Sequence, residues 1–452
     1  MHQSIMVPTL IGVLFSAACW SQDEVAFPPQ LPRNRQVVSD HSERFLLPPA
    51  SLREGVEIAK TPPTVDFLYY PGQDYPGKPW SCWGDSLAVN GKYYSSIGDH
   101  LAISGKGDRT DGNGSAFVYE YDPTTKAFRQ LADTSRLLEL PADQYAPGKI
   151  HTRLDMGKDG CLYFATHRGS TRATTDAYGY QGDWILRCDL GSGKAAVVVH
   201  APVPKHCIPN GRLDPERMIY YGGTAAGTDA AKQAIYFFAH DVTNQEMLYS
   251  GPDGPARYTM LASSTGRLYY VPGKGVGPLM RFDPKSDGAP VIVEGTQLGI
   301  RAATEETADQ HIYTVSLGQR ADDADIWSFD TQTEHAEKIG TAPVGSQSYV
   351  ASLDVGPNGR YLYYVPGAHG GSPRDGTPVV QFDVKTGKKK VLAFLEPFYT
   401  EKYGLTLKGT YATAIDAAGE KLFITWNVSR GTRAWDSCGI TVVHIPPSER
   451  QP

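Results

Sequence analysis

Two histidines and two arginines stand at the ends of one short segment: His151-Thr-Arg153 at its start and His167-Arg168 at its finish. The turn at Gly160 folds the chain back, so antiparallel pairing carries both imidazoles to one rim. Imidazole moves protons near neutral pH and guanidinium grips planar anions, so this pairing suits an acidic substrate that must lose a proton. Residues of the same types recur at matching positions. His100, His369, Trp426 and Arg430 follow aromatic strands, while Lys149, Lys205, His206, Arg257, Tyr258, Arg301, Tyr349 and Tyr411 stand at or just before the strands that begin the repeats. Any one of them alone reads more simply as a turn or packing residue. Their weight lies in convergence from different repeats.

The elements that must bring them together are legible as a recurring phrase, a short apolar strand ending in Asp and followed by a turn. Its anchors are Asp122, Asp189, Asp241, Asp283, Asp330 and Asp383, with a degenerate last copy at Val442-Val-His444. Successive anchors lie 42 to 67 residues apart, which brackets a four-stranded propeller blade. A second phrase, a turn followed by an aromatic strand, precedes each anchor, as in Asn90-Gly-Lys-Tyr-Tyr and Asn358-Gly-Arg-Tyr-Leu-Tyr-Tyr. The reading is all-β: a seven-bladed β-propeller of four-stranded antiparallel blades, closed by pairing Thr64–Tyr70 with Thr441–Ile445. The anchor aspartates are expected to bond their own turns, and Tyr-Tyr pairs such as Tyr269-Tyr270 and Tyr363-Tyr364 to pack between strands. Loops entering the inner strands and loops leaving the second strands meet on one face of such a ring, so the basic and aromatic residues form a funnel there.

The chain has 452 residues and a formal net charge of -6, which argues against a nucleic-acid partner. Residues 1–18 read as an export leader, with an apolar run from Met6 to Phe15 too short to span a bilayer, and Cys19 after Ala-Ala is an alternative lipid-attachment point. A secreted or periplasmic, monomeric protein is expected, with no transmembrane segment. Residues 19–63, rich in Pro and charge, read as a linker or strap, and 64–448 as the propeller. Cys82, Cys161, Cys188, Cys207 and Cys438 show no metal-binding spacing. Cys82 and Cys438 could meet where the ring closes, whereas Cys161 and Cys188 read as small buried hydrophobes.

Pro147-Gly-Lys-Ile-His151 and Leu162-Tyr-Phe-Ala-Thr-His167-Arg-Gly169 resemble the seven-bladed propeller polysaccharide lyases of the ulvan lyase kind, over roughly Thr64 to Pro446. The chain also looks like exported propellers of bacteria that live on algal polysaccharides. The resemblance implies β-elimination on a uronic-acid polysaccharide, with His151 and His167 as the paired histidines. Tyr221 and Arg257, chosen by position, would be the tyrosine and arginine, with Arg168 or Arg257 neutralising the substrate carboxylate. The acidic polysaccharide or oligosaccharide would be the partner, and no cofactor is expected. A non-catalytic carbohydrate- or protein-binding propeller is the second reading. A metal-dependent oligouronide lyase or lactonase is the third, because the carboxylates Glu305, Glu306 and Asp354 are dispersed.

Overall fold

The computed structural model describes residues 25–100, 115–141, 143–273, 275, 277–286, 288–318 and 324–450. The leader and its cut site fall outside these. The local turn chemistry behaves as expected. Asn90 and Gly91 both take positive φ, 52° and 72°, which joins Val89 to Lys92 as a two-residue hairpin. The Asp122 carboxylate accepts the backbone N–H of Thr124 at 2.8 Å, and Asp189, Asp241, Asp283, Asp330 and Asp383 fold their own turns in the same way.

These hairpins assemble into seven sheets of four or five strands, one per blade, arranged in a ring. The inner strands begin near Trp80, Lys149, His206, Met260, Ala302, Asp354 and Thr406. The ring closes as the sequence predicts: Thr64–Tyr69 forms the fourth strand of the last blade, pairing antiparallel with Ser437–His444, Thr64 opposite His444 and Tyr69 opposite Gly439. The preceding segment wraps the outside. Val38–His41 adds a fifth strand beyond Thr64–Tyr69, and Glu57–Ile58 pairs parallel with Lys389–Phe394 on the sixth blade.

Blade faces look at neighbouring blades, so the apolar clusters lie between sheets. Tyr93 of the first blade stacks on Phe423 of the seventh at 5.0 Å, and Phe237 of the third on Tyr270 of the fourth at 5.0 Å. Tyr269, Tyr270, Tyr363 and Tyr364 are all buried in this packing. Cys82 and Cys438 share the closure core but stay unbridged, and all five cysteines among the described residues are free and buried. Among the described residues, no helix is long and apolar enough to cross a membrane.

Ser437–His444 is the single strand that joins Lys421–Ser429 to Thr64–Tyr69. A chain ending at Ser437 is therefore expected to lose its sharp thermal transition by circular dichroism. Ile440→Ala, at a fully buried position of that strand, should keep the transition while costing about 2–5 kcal/mol by chemical denaturation.

Candidate active site

One end of the ring axis holds a cavity of about 350 Å³ lined by Trp83, His151, Arg257, Leu317, Gly318, Tyr349, His369 and Tyr411. Each comes from an inner strand's entry or from a loop leaving a second strand. Close backbone approach at glycines makes the rim possible. A Cβ on Gly169 would sit 1.8 Å from the His100 carbonyl oxygen, and one on Gly409 2.4 Å from that of Ala368, next to His369.

Trp83 is the hub. His100 stacks on it at 4.8 Å, Tyr411 lies at 4.8 Å, His369 at 5.6 Å and Trp435 at 6.2 Å, and the Lys149 ammonium lies 4.6 Å from its ring centroid. Around this aromatic floor the charge is one-sided. Among the described residues Lys149, Arg257 and Arg301 pair with no carboxylate. Lys149 is buried, which pulls its ammonium down to about 7. Arg257 keeps a buried Nε without a hydrogen-bond partner. Arg301, also buried, donates from Nε to the Tyr349 hydroxyl at 2.9 Å and spreads over the Tyr349 and Tyr411 rings.

The acid–base groups are held in defined states. His151 Nδ1 lies 2.7 Å from the Pro209 carbonyl, which can only accept, so Nδ1 carries the proton and Nε2 keeps its lone pair. Burial first, then the positive charges of Lys149 and Arg301, hold this imidazole well below its ordinary value. It is a neutral base at pH 7. Tyr411 Oη is 2.8 Å from His369 Nδ1 and also hydrogen-bonds Tyr349; burial, reinforced by Tyr349, raises its phenol, which stays protonated.

The sequence-predicted residues divide. His151, Arg257, Arg301, His369 and His100 meet at the cavity or on Trp83. His167 lies one layer behind, its ring 5.3 Å from that of His151 and nearly buried. Arg168 donates to the Ala226 carbonyl at 2.6 Å, beside this layer. Five others point elsewhere. Tyr221 is buried between the third and fourth blades, donating to the Gly266 carbonyl, and cannot serve as acid or base at the cavity. Trp426 is sealed in the closure core with its Nε1 on Thr441. His206 bonds Thr224, Lys205 pairs with Asp176, and Arg430 pairs with Asp436 at the edge of the strap. Tyr258 reaches inward instead, donating to Asp85 at 2.7 Å.

That contact belongs to a charged plug deeper in the channel. Arg153 bridges Asp155 at 3.0 Å and Glu305 at 2.5 Å, and Arg212 also pairs with Glu305. Asp354 is lifted to about 7 by burial and by its neighbour Asp85. Of the acids set apart in sequence as metal ligands, Glu305 is spent on Arg153 and Arg212, Glu306 accepts from Ser263, Ser264 and Thr331, and Asp354 accepts from Thr413. Trp83, Lys149, Tyr349, Tyr411 and Trp435 complete the cavity end without a motif. Lys149, Tyr349 and Tyr411 carry the inner-strand position as their only signal, and the two tryptophans, Trp83 in the first blade's inner segment and Trp435 in the loop leaving the seventh blade's second strand, likewise carry position alone.

No family model matches the chain, and no curated protein sequence does. Among solved structures, an oligogalacturonate lyase in complex with manganese aligns with a TM-score of 0.55 at 12% identity, covering 87% of this chain and 96% of its own. An oligogalacturonate lyase from Vibrio parahaemolyticus aligns at 0.53 and 11%, covering 88% and 98%. At such identities the likeness shows the propeller fold. These two are oligogalacturonate lyases rather than ulvan lyases, so the resemblance read from sequence stands at the level of architecture. The expectation of no cofactor is corrected. A propeller of this fold has been solved with manganese, and here donor atoms of His167, Asp183 and Cys207, all buried, lie within 4.8 Å of one another. Their thiol, carboxylate and imidazole are together a donor set that can hold a metal ion.

The state of His151 has a measurable consequence. An unfolded chain takes up a proton near pH 6.5 that the folded site refuses, so folding weakens as pH falls below about 6.5, by about 1.4 kcal/mol per pH unit for that group. His151→Gln lacks this penalty. The stability gap between wild type and variant, from denaturant titrations at pH 7 and pH 5, should therefore move in the variant's favour on acidification.

Proposed function

We propose that this protein is an exported lyase that cleaves a uronic-acid polysaccharide, of the ulvan kind, by β-elimination at the axis cavity. The observation that carries the reading is that Arg257 and Arg301, with the Lys149 amine held at about 7 beside them, have no carboxylate partner among the described residues around an aromatic floor, in a chain whose net charge is -6. Uncompensated buried charge is costly, and a substrate carboxylate supplies the missing partner.

The chemistry follows from what the groups can do. Arg257 and Arg301 pair with the uronate carboxylate, which lowers the cost of the enolate-like charge that develops when C5 loses its proton. The free lone pair on His151 Nε2 takes that proton. The C4–O4 bond breaks as the C4–C5 double bond forms, and the protonated Tyr411 hydroxyl gives its proton to the departing O4, with His369 beside it to return one. Trp83 offers a ring face for the sugar. Both proton carriers then exchange with water, so the enzyme is restored.

Ultraviolet absorbance of the unsaturated product tests the reading, with ulvan, polygalacturonate and a neutral glucan as substrates. Product is expected from acidic polymers alone. His151→Gln should lower turnover by a factor of about 100 to 10,000, the range for a lost positioned base, with substrate binding retained. Full turnover by that variant removes His151 from the mechanism; binding of acidic polymer without product in the wild type would instead favour a carbohydrate-binding propeller.

A further inference from the structure

The layer behind His151 contains groups that the elimination scheme leaves unused. His167 ends the second strand of the second blade, Asp183 stands just before the third strand of that blade, and Cys207 lies in the inner strand of the third blade. Asp183 and Cys207 are fully buried and His167 is 8% exposed. Their donor atoms converge within 4.8 Å although they come from three separate segments.

A second observation points to a ligand. His167 Nδ1 is buried without any hydrogen-bond partner among the described residues, an arrangement that costs stability when nothing satisfies the atom. The carboxylate is held in place as an outer shell would hold it: Thr166 donates to Asp183 at 2.6 Å and Tyr145 at 2.9 Å, with Tyr180 at 3.3 Å. Near it, the Cys207 thiol donates to the Ala225 carbonyl at 3.1 Å.

We propose that His167, Asp183 and Cys207 bind a thiolate-accepting divalent ion of the zinc class, which ties the second blade to the third behind His151. The donor set decides the class. Thiolate, imidazole and carboxylate suit zinc, whereas manganese favours oxygen-rich sites. Binding replaces the thiol proton, which leaves to solvent as the metal–sulfur bond forms. One carboxylate and one thiolate balance the ion's two charges. Three protein donors leave one position for water. The tie fixes the His167 ring, and through it the packing behind His151, so its role is positional.

Metal content of the purified full-length protein is the test, and it is independent of any lyase activity. After incubation with zinc and desalting, elemental analysis should find about one zinc per chain. Cobalt in its place should give a near-ultraviolet sulfur-to-cobalt charge-transfer band. Cys207→Ser should remove that band and lower the zinc content by at least tenfold, while Cys161→Ser, which alters a buried thiol elsewhere, should leave both intact. Asp183→Asn should weaken zinc binding while retaining the sulfur band, which covers the case in which Cys207→Ser fails to fold. Absence of bound zinc in the wild type, a cobalt spectrum without the sulfur band, or an unchanged band in Cys207→Ser overturns the proposal. Manganese retained in preference to zinc would overturn the assigned class.

Discussion

The pairing of Thr64–Tyr69 with Ser437–His444 turns a row of sheets into a ring, and only in a ring do seven inner strands share an axis. An open array would leave unpaired strand edges and spread the same side chains along a line. Closure is also where the largest apolar investment lies: Trp426, Phe67, Ile424 and Val443 are all buried around it, and Tyr70 hydroxyl bonds reach both Ser95 and Thr425 across the seam. Residues far apart in sequence, such as Trp83, Arg301 and Tyr411, are neighbours because of this one pairing.

Once closed, the axis sorts charge by depth. In the plug, Asp85, Asp155 and Glu305 meet Arg153 and Arg212, so each buried charge has an opposite one. At the cavity end the balance fails, and Lys149, Arg257 and Arg301 face aromatic rings and a neutral histidine instead. Among the described residues, the plug holds acidic side chains that the cavity end lacks. Low-dielectric walls then focus the remaining positive potential outward.

How much of this was readable depends on whether the signal is local. Asp122 or Asn90 acts within a few residues of itself, so turns, strands and the number of blades follow from the chain read in order. The closing strand was legible because Thr64–Tyr69 is apolar, β-branched and aromatic at the right distance from any other partner. Side-chain direction is not local in this sense. A residue on an inner or second strand faces one neighbouring blade or the other by parity, and a bulge such as that between Cys207 and Asn210 reverses it. Tyr221 and Trp426 sit on second strands and point into blade packing, whereas Tyr349, just before an inner strand, and Tyr411, on one, line the cavity. Cys207 carried no metal signature because its neighbours His167 and Asp183 come from another blade, where spacing along the chain says nothing.

Three departures from ordinary folding rules meet at one end of the axis, while other buried unpartnered polar atoms, such as those of His240, Tyr399 and Arg450, lie elsewhere in the fold. The lone ammonium of Lys149, the unpartnered Arg257 Nε and the orphaned His167 Nδ1 all lie within the second to fourth blades' contribution to one end of the axis. Each costs stability in the free protein, and each is a cost that an anion or a cation at the adjacent position would remove. A fold selected for stability alone would have paired these groups, as the plug a few residues further along the same strands does with Arg153 and Asp155. Two residues apart in the segment between Lys149–Ile150 and Asp155–Met156, His151 is kept neutral for proton transfer and Arg153 is neutralised for structure. The boundary between the functional and the structural part of the axis runs between them.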